Sequence, residues 1–258
     1  MSGLIAWWDE PASGPDNMAA DELLAAESLR LDRVLVRIYR WCEPAVSLGG
    51  FQRLADARRC VAIAGLPLVR RPSGGGAIVH GSDLTYAVAV PRGHPWGGDP
   101  QRLYDVFHES FADLLRERGI AATRHPGRDP GAGDESRFLC FDRRARGDLV
   151  VEAGDLPDGH KILGSAQRRL QAAVLQHGSL LLDRPTAPGE SGQHPGLRDL
   201  ATSEVGPLRP LVASWLERIA RRVAGAVDWR DGGFLATRAD EWAAAASRYR
   251  GEAWLTRR

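Results

Sequence analysis

The spacing of apolar and polar residues divides the chain into helices and strands that do not alternate regularly. Residues 17–31 are rich in alanine and leucine and predict a helix, with Asp16 or Asn17 in position to cap its start. Residues 34–41 alternate and predict a strand. Its apolar residues should share one face: Val34, Val36 and Ile38. A short helix is expected at 54–63, and further strands at 66–69, 84–91, 149–152, 161–168 and 174–182.

The clearest helical pattern covers residues 101–118, where apolar side chains recur every three or four positions and Gly119 ends the helix. The predicted stripe consists of Leu103, Val106, Phe107, Phe111, Leu114 and Leu115. A second amphipathic helix is predicted from Pro210 onwards, and residues 241–247 predict a short third helix.

This irregular mixture of elements predicts an α+β fold, with a mixed, largely antiparallel sheet flanked by helices. The 258 residues, 43% of them hydrophobic, suit a single domain over 1–258. Within it, residues 184–258 are expected to form a C-terminal helical extension. Two segments, 127–136 and 184–207, are rich in glycine and proline and are predicted to be irregular.

The charges nearly cancel, with 34 basic against 33 acidic residues, so net charge gives no reason to expect nucleic-acid binding. The arginines are clustered, however, and several clusters together would suit an acidic partner or a phosphate. The clusters lie at 58–59, 70–71, 143–146 and 168–169. No run approaches the ~18 apolar residues that span a bilayer, so no membrane association is expected.

The three cysteines, Cys42, Cys60 and Cys140, are odd in number and widely spaced, and none belongs to a CxxC pair. Neither a zinc site nor a disulfide framework is therefore expected. Residues 1–14 lack the basic region and the long apolar stretch of a signal peptide. Together these features predict a protein of the reducing cytoplasm.

The strongest local feature is the glycine-rich segment RRPSGGGAIVHGSDLTY at 70–86. Three consecutive glycines let a ligand approach the main chain and its N–H groups, although a triple glycine is also common in hairpin turns. The spacing is that of neither a P-loop nor a dinucleotide fingerprint. The candidate substrate-binding residues here are Arg71, Ser73, Gly74, Gly75, Gly76 and His80.

A second feature is the segment 160–183, in which Lys161 lies between a turn and an apolar strand. A lysine at such a position usually faces solvent, but one that turns inward can bind an acyl oxygen. A histidine within a strand is more often part of the core than a catalyst. The further candidates in this segment are Gly164, Ser165, His177 and Gly178.

The third feature is Cys140 in RFLCFDRR. On the residues alone a buried structural cysteine is the more common outcome, because a free cysteine packs as a small hydrophobe. The alternative is a nucleophile, since arginines facing the thiol would lower its pKa and raise the thiolate fraction.

In combination and in order, these segments resemble the lipoate–protein ligase and octanoyltransferase family, whose catalytic fold is shared with biotin protein ligases. The similarity runs from the first helix to residue 183. The matching segments are NMAADELL at 17–24, RIYRWCEPAVSLGGFQ at 37–52, RRPSGGGAIVH at 70–80, KILGSAQRR at 161–169 and LQHGSLLLD at 175–183.

The resemblance implies a biotin/lipoate protein ligase-like catalytic domain, in which the glycine segment and nearby apolar residues hold a fatty chain. Lys161, at the position of the family lysine, would bind the acyl oxygen. The Cys140-Phe141 pair resembles the nucleophile of the ligase-like octanoyltransferases. Asp83, where ligases more often have asparagine, and the 75 residues after Asp183 also favour a transferase over a ligase.

The resemblance thus predicts an octanoyltransferase that needs no cofactor and no metal. It would move an octanoyl group from octanoyl-acyl carrier protein, through a thioester on Cys140, to a lysine of a lipoyl domain or of the glycine-cleavage H protein. Two alternatives stay open: an ATP-dependent lipoate–protein ligase, and a non-catalytic acyl-binding protein. The loop at 127–136 and the arginines at 143–146 match nothing in the family pattern.

Overall fold

Eleven strands and seven α-helices are present in the computed structural model, which describes residues 3–127, 138–153, 159–185, 194–223 and 225–257. The strands are β1 (Gly3–Trp8), β2 (Val34–Tyr39), β3 (Ala45–Leu48), β4 (Leu68–Arg70), β5 (Ile78–His80), β6 (Asp83–Pro91), β7 (Ala122–Arg124), β8 (Leu149–Val151), β9 (His160–Arg169), β10 (Ala173–Leu181) and β11 (Ala226–Arg230). The helices are α1 (Gly14–Leu31), α2 (Leu54–Arg59), α3 (Pro100–Glu117), α4 (Leu197–Leu200), α5 (Leu208–Arg221), α6 (Ala239–Arg250) and α7 (Glu252–Thr256).

Eight of these strands form the main sheet in the order β11-β1-β2-β6-β10-β9-β8-β7. β1 runs parallel to β2 and β11, and the other neighbours are antiparallel. A smaller sheet, β4-β3-β5, lies beside it. The predicted mixed, largely antiparallel sheet with flanking helices is therefore confirmed.

Two apolar layers cover the two faces of the main sheet because β2 and β6 present alternate residues to each face. Val34, Val36 and Ile38 share one face, as predicted, and belong to the layer that includes α3 and α5. Leu35 and Tyr39 face the opposite layer, formed by α1 and α6. The long strands β6 and β10 are buried throughout, which explains why they contain few charged residues.

The predicted helix at 101–118 is confirmed as α3, whereas the predicted capping residue of α1 is wrong. α1 begins at Gly14, and Ser13 rather than Asp16 or Asn17 occupies the position before its first turn. Asn17 is buried inside the helix and donates to the carbonyl of Ala12. The helix starts earlier than predicted because a proline is well tolerated in the first turn.

The sequence pattern did not predict several short elements or their bounds. The predicted strand at 34–41 ends at Tyr39, and the predicted helix at 54–63 is α2 followed by a 3₁₀ turn at Val61–Ile63. The segment 184–207, predicted to be irregular, contains α4. The C-terminal part, expected to be helical, also adds β11 to the edge of the main sheet. Except for Gly127, the predicted loop at 127–136 lies outside the described residues.

Candidate active site

Cys140 lies beside the glycine loop (residues 71–77), which connects β4 to β5. Its backbone N–H donates to the carbonyl of Ala77 at 2.7 Å, and the N–H of Ala77 donates to Phe138 at 3.0 Å. A Cβ on Gly76 would lie 3.0 Å from the backbone nitrogen of Cys140. Glycine at this position therefore lets the loop and the cysteine segment meet main chain to main chain.

Lys161 turns inward from β9 and reaches the same point. Its Nζ is 3.5 Å from Cys140 Sγ and 3.3 Å from the Cys140 carbonyl oxygen. The pairing of β8 with β9 shifts by one residue here, since Leu149 pairs with Leu163 while Val150 pairs with Lys161. Such a bulge redirects a side chain out of the regular alternation.

The side chain of Lys161 also explains why position 164 is a glycine. A Cβ at this position would lie 2.5 Å from Lys161 Cε and 2.7 Å from Nζ. The candidate residue Gly164 therefore leaves the space through which the lysine side chain passes.

Asp148, directly before β8, is the buried counter-ion of Lys161. The two charged groups are 2.8 Å apart, and both side chains are almost wholly buried. Tyr104 OH donates to the other carboxylate oxygen at 2.8 Å, and the N–H of Ala145 donates to Asp148 Oδ2 at 2.7 Å. Burial disfavours the charge on Lys161, but the interactions with Asp148 and with Cys140 outweigh this cost and raise the pKa of Lys161.

The sequence reasoning missed Asp148 and Tyr104. The available signal was a carboxylate immediately before an apolar strand, where burial demands a partner of opposite charge. Without the topology, nothing in the pattern indicates that α3 brings Tyr104 to that carboxylate.

Arg71 organises the glycine loop from inside. Its guanidinium donates to the carbonyl oxygens of Ser47, Gly74 and Gly76 at 2.6–2.8 Å. Complete burial lowers the pKa of Arg71 to about 10, against an opposing effect of Cys140. Gly75 has a φ of +91°, which favours glycine. Arg71 thus acts on the loop backbone, while its Nε has no hydrogen-bond partner among the described residues.

Ser73, His177 and Asp21 form a buried hydrogen-bonded chain. The Ser73 hydroxyl is hydrogen-bonded to His177 Nε2, and His177 Nδ1 lies 3.0 Å from Asp21 Oδ2. Asp21 also accepts from Tyr39 OH at 3.0 Å and pairs with Arg37 at 2.7 Å. The chain ties the glycine loop to β10 and α1, which brings together candidates that are 104 residues apart in the sequence.

His80, on β5, belongs to a second buried chain of serine, histidine and aspartate. Its Nε2 is 2.8 Å from Ser47 Oγ and its Nδ1 is 2.8 Å from Asp83 Oδ2. Burial alone would raise the pKa of Asp83, but the interaction with His80 outweighs it and the pKa is lowered. The ring of Trp41 stacks on His80 with centroids 3.8 Å apart.

Ser165 and Gly178 meet on the side of the sheet that α3 covers. The Ser165 hydroxyl is hydrogen-bonded to Tyr86 OH and His108 Nε2, each at 2.7 Å. A Cβ on Gly178 would lie 2.4 Å from that hydroxyl. The Ser165 hydroxyl is thus engaged by groups facing α3, and its small partner Gly178 lets the two strands accommodate the Tyr86 ring.

Two apolar cavities flank β5. One contains four of the candidates in its lining, namely Arg71, His80, His177 and Gly178, together with Met18, Tyr39, Trp41 and Ile78. The other is lined by Ala77, Val79, Leu139, Phe141, Leu181, Pro185 and His194. Alternate residues of β5 face the two cavities. Leu139 and Phe141, the neighbours of Cys140, line the second cavity, and Ile78 of the first cavity packs in one apolar cluster with Phe141 and Cys140.

The described residues contain no group of three His, Cys, Asp or Glu side chains arranged to hold a metal ion. In the same part of the chain, no helix is both long enough and apolar enough to cross a membrane. Cys42, Cys60 and Cys140 are all free.

The site thus places a cysteine beside a buried lysine, on a mixed sheet and next to a glycine loop. A family model, the lipoyl protein ligase A/B catalytic domain, matches residues 13–188. The chain belongs to this family.

Relatives named octanoyltransferase LipM match about two thirds of the chain. The protein of Bacillus subtilis is 34% identical over 180 residues, which cover 67% of this chain and 63% of the relative. That of Symbiobacterium thermophilum is 37% identical over 179 residues, covering 66% and 62%. The match thus spans about three fifths of the length of these relatives.

Solved structures show the same fold at low sequence identity. A bipartite lipoate protein ligase of Thermoplasma acidophilum, described with its E2 lipoyl domain, has a TM-score of 0.69 at 20% identity and covers 98% of this chain and 96% of its own. A lipoate-protein ligase A bound with ATP has a TM-score of 0.69 at 20% identity and covers 98% of both chains. The expected lipoate ligase fold is therefore confirmed.

Proposed function

We propose that this chain is an octanoyltransferase of lipoate biosynthesis that acts through a thioester on Cys140. The observation that carries the proposal is the 3.5 Å distance between Cys140 Sγ and the buried ammonium of Lys161. An ammonium at this position can bind the carbonyl oxygen of a thioester formed on Cys140, whose sulfur is the nucleophilic atom. The similarity to octanoyltransferases over two thirds of the chain supports the same conclusion.

In the first step the Cys140 thiolate attacks the carbonyl carbon of octanoyl-acyl carrier protein. The new carbon–sulfur bond forms, the negative charge moves to the carbonyl oxygen next to Lys161, and the carrier thiolate leaves. In the second step the amine of a partner lysine attacks the enzyme thioester. The carbon–nitrogen bond of an amide forms, the carbon–sulfur bond to Cys140 breaks, the amine releases its proton to solvent, and the Cys140 thiolate is regenerated. Neither step consumes ATP or needs a metal.

The fatty chain is assigned to the apolar cavity lined by Met18, Tyr39 and Trp41. This cavity combines apolar walls with Arg71, His80, His177 and Gly178, and the Ser73 hydroxyl is hydrogen-bonded to His177 at its edge. Few polar groups in an apolar pocket are typical of a site that orients one end of a ligand.

The acceptor is a lysine of a lipoyl domain or of the glycine-cleavage H protein. A lipoyl domain accompanies the Thermoplasma acidophilum ligase of the same fold. The three free cysteines are compatible with a cytoplasmic enzyme.

The experiment is intact mass spectrometry after incubation with octanoyl-acyl carrier protein without ATP. We expect one octanoyl adduct on the unaltered chain, none on Cys140→Ala, and an undiminished adduct on Cys42→Ala, which removes an exposed cysteine instead. Addition of a lipoyl domain should transfer the group to it.

A second candidate function is an ATP-dependent lipoate–protein ligase, which is favoured by the fold shared with a ligase bound to ATP. A chain that forms no adduct, tolerates Cys140→Ala and acylates the lipoyl domain only with ATP and Mg²⁺ would establish the ligase instead. Binding of octanoate without turnover in either assay would indicate a non-catalytic acyl-binding protein.

A further inference from the structure

The surface of α2 and the turn before it carries an unbalanced positive charge next to the candidate active site. The exposed arginines Arg53, Arg58 and Arg59 face a single carboxylate, Asp56, in the segment 51–64. Arg53 has no ion pair among the described residues, and the pair of Arg58 with Glu252 is long, at 3.8 Å, and exposed. We call this the α2 surface.

The surface of α3 and α5 gives the contrast. There, four arginines are matched with four carboxylates in ion pairs: Arg116, Arg124, Arg218 and Arg222 with Asp105, Glu109, Asp113 and Glu117. Each of these four arginines thus has a carboxylate partner within the fold, whereas on the α2 surface Arg53 has none among the described residues and Arg58 has only a long, exposed pair.

The α2 surface also exposes an aromatic ring. Phe51 is 79% exposed. Its ring lies over Gly74, because a Cβ there would be 3.5 Å from it. An exposed aromatic residue surrounded by arginines is typical of a protein interface.

A groove leads from this surface toward Cys140. It is lined by Phe51, Gln52, Arg53, Asp56, Arg59, Cys60, Phe138 and Arg143. Gln52 connects the turn before α2 to Phe138. Its Oε1 accepts from the N–H of Gly49 at 2.9 Å, and its Nε2 donates to the carbonyl of Phe138 at 3.0 Å. Phe138 is two residues before Cys140, so the groove ends at the segment that carries the nucleophile.

We propose that the α2 surface is the docking site of an acidic carrier protein that delivers the acyl group on a long thioester arm. This inference rests on the proposed function. The positive charge selects an acidic partner, and the position of the surface selects the donor. An arm of extended length can follow the groove from α2 to Cys140, whereas an acceptor lysine has a short side chain and must be presented directly at the thioester.

The experiment compares two donors in a single-turnover assay that follows acylation of Cys140 by intact mass. Octanoyl-acyl carrier protein needs the docking surface, and octanoyl-pantetheine, which has the arm but no protein, does not. We expect Arg53→Glu and Arg59→Glu each to lower the second-order acylation rate constant with the carrier protein by about tenfold at low salt. Both should lower the rate with octanoyl-pantetheine much less, because the pantetheine arm carries no charge and brings no acidic protein.

Arg116→Glu is the matched control. Arg59 and Arg116 are both exposed helix residues that pair with an aspartate three positions earlier. Reversal of Arg116 should not change acylation by either donor. The loss caused by Arg59→Glu should diminish as salt rises, because the attraction in the unaltered protein is itself screened.

Three outcomes would overturn the docking site. Equal rates with carrier protein for Arg59→Glu and the unaltered chain would exclude this surface, and equal losses with both donors would indicate damage to the site. Slow transfer from a preformed acyl-enzyme to a lipoyl domain, with normal donor acylation, would assign the surface to the acceptor. If neither donor acylates the unaltered chain, the proposed function itself fails, and this result is distinct from the other three.

Discussion

Asp148 sets the charge of Lys161, and with it the charge beside Cys140. Burial of a lysine favours its neutral form, and here the carboxylate at 2.8 Å is the main group that opposes that tendency, with a further contribution from Cys140. Tyr104 holds Asp148 through a hydrogen bond but contributes no charge. The two residues therefore allow charge and position to be tested separately.

We predict that Asp148→Asn moves the alkaline limb of the pH–rate profile of Cys140 acylation to lower pH. Without the carboxylate, desolvation lowers the pKa of Lys161, so the ammonium is lost at a pH where the unaltered enzyme retains it. The shift should be roughly one pH unit or more, measured in single turnovers with octanoyl-pantetheine.

Tyr104→Phe is the control for that measurement, because it keeps the carboxylate and removes one hydrogen bond. Its rate should fall without a comparable displacement of the alkaline limb. An unchanged limb in Asp148→Asn would contradict the role of the carboxylate in keeping Lys161 charged.

At the scale of elements, α5 closes one apolar layer through Trp215. Its ring packs against Tyr86, Phe107 and Phe111 with centroids 4.9–5.7 Å apart, and its indole N–H donates to the carbonyl of Phe107 at 2.9 Å. α5 thereby holds α3, the helix that carries Tyr104, against the sheet.

We predict that Trp215→Ala lowers the free energy of unfolding by about 3–5 kcal/mol, as measured by urea denaturation. Trp229→Ala is the matched control, because Trp229 lies on the edge strand β11 and is 39% exposed. That change should cost about 1 kcal/mol or less. Similar losses in the two variants would mean that α5 does not close the core through its tryptophan.

For the whole molecule, His108 links stability to pH. The ring is fully buried between Gly147 and Ser165, with hydrogen bonds of 2.8 and 2.7 Å, and desolvation lowers its pKa to about 4. The unfolded chain binds a proton at this histidine near its ordinary pKa of 6.5. Between these values the unfolded state holds more protons, so stability falls as the pH falls.

We predict that the unaltered protein loses about 3 kcal/mol through this group between pH 6.5 and pH 4. His108→Gln should lower stability at neutral pH but flatten the decline in the acidic range, because glutamine does not titrate. Urea midpoints measured across the pH range test this. Parallel declines in the two proteins would rule out His108 as the titrating group.

Local sequence patterns were sufficient to predict the long helices and strands and to identify the glycine loop. α3 follows from its apolar stripe, and β6 and β10 from their apolar runs, because such segments remain stable only when one face or both are buried. Short strands such as β3 and β7 carry too few residues to show a period, and β11 is mostly exposed. These form because a neighbouring strand supplies their hydrogen bonds.

The sequence by itself determined the family, the mixed sheet and the candidates Cys140 and Lys161, since these depend on residue types in a fixed order. Only the tertiary structure brought the cysteine within 3.5 Å of the lysine and supplied Asp148 and Tyr104 as its partners. It also showed that Arg71, which lines the cavity, braces the loop backbone through its guanidinium. The physical reason is that burial sets the charge of Lys161, and burial depends on contacts between segments distant in sequence.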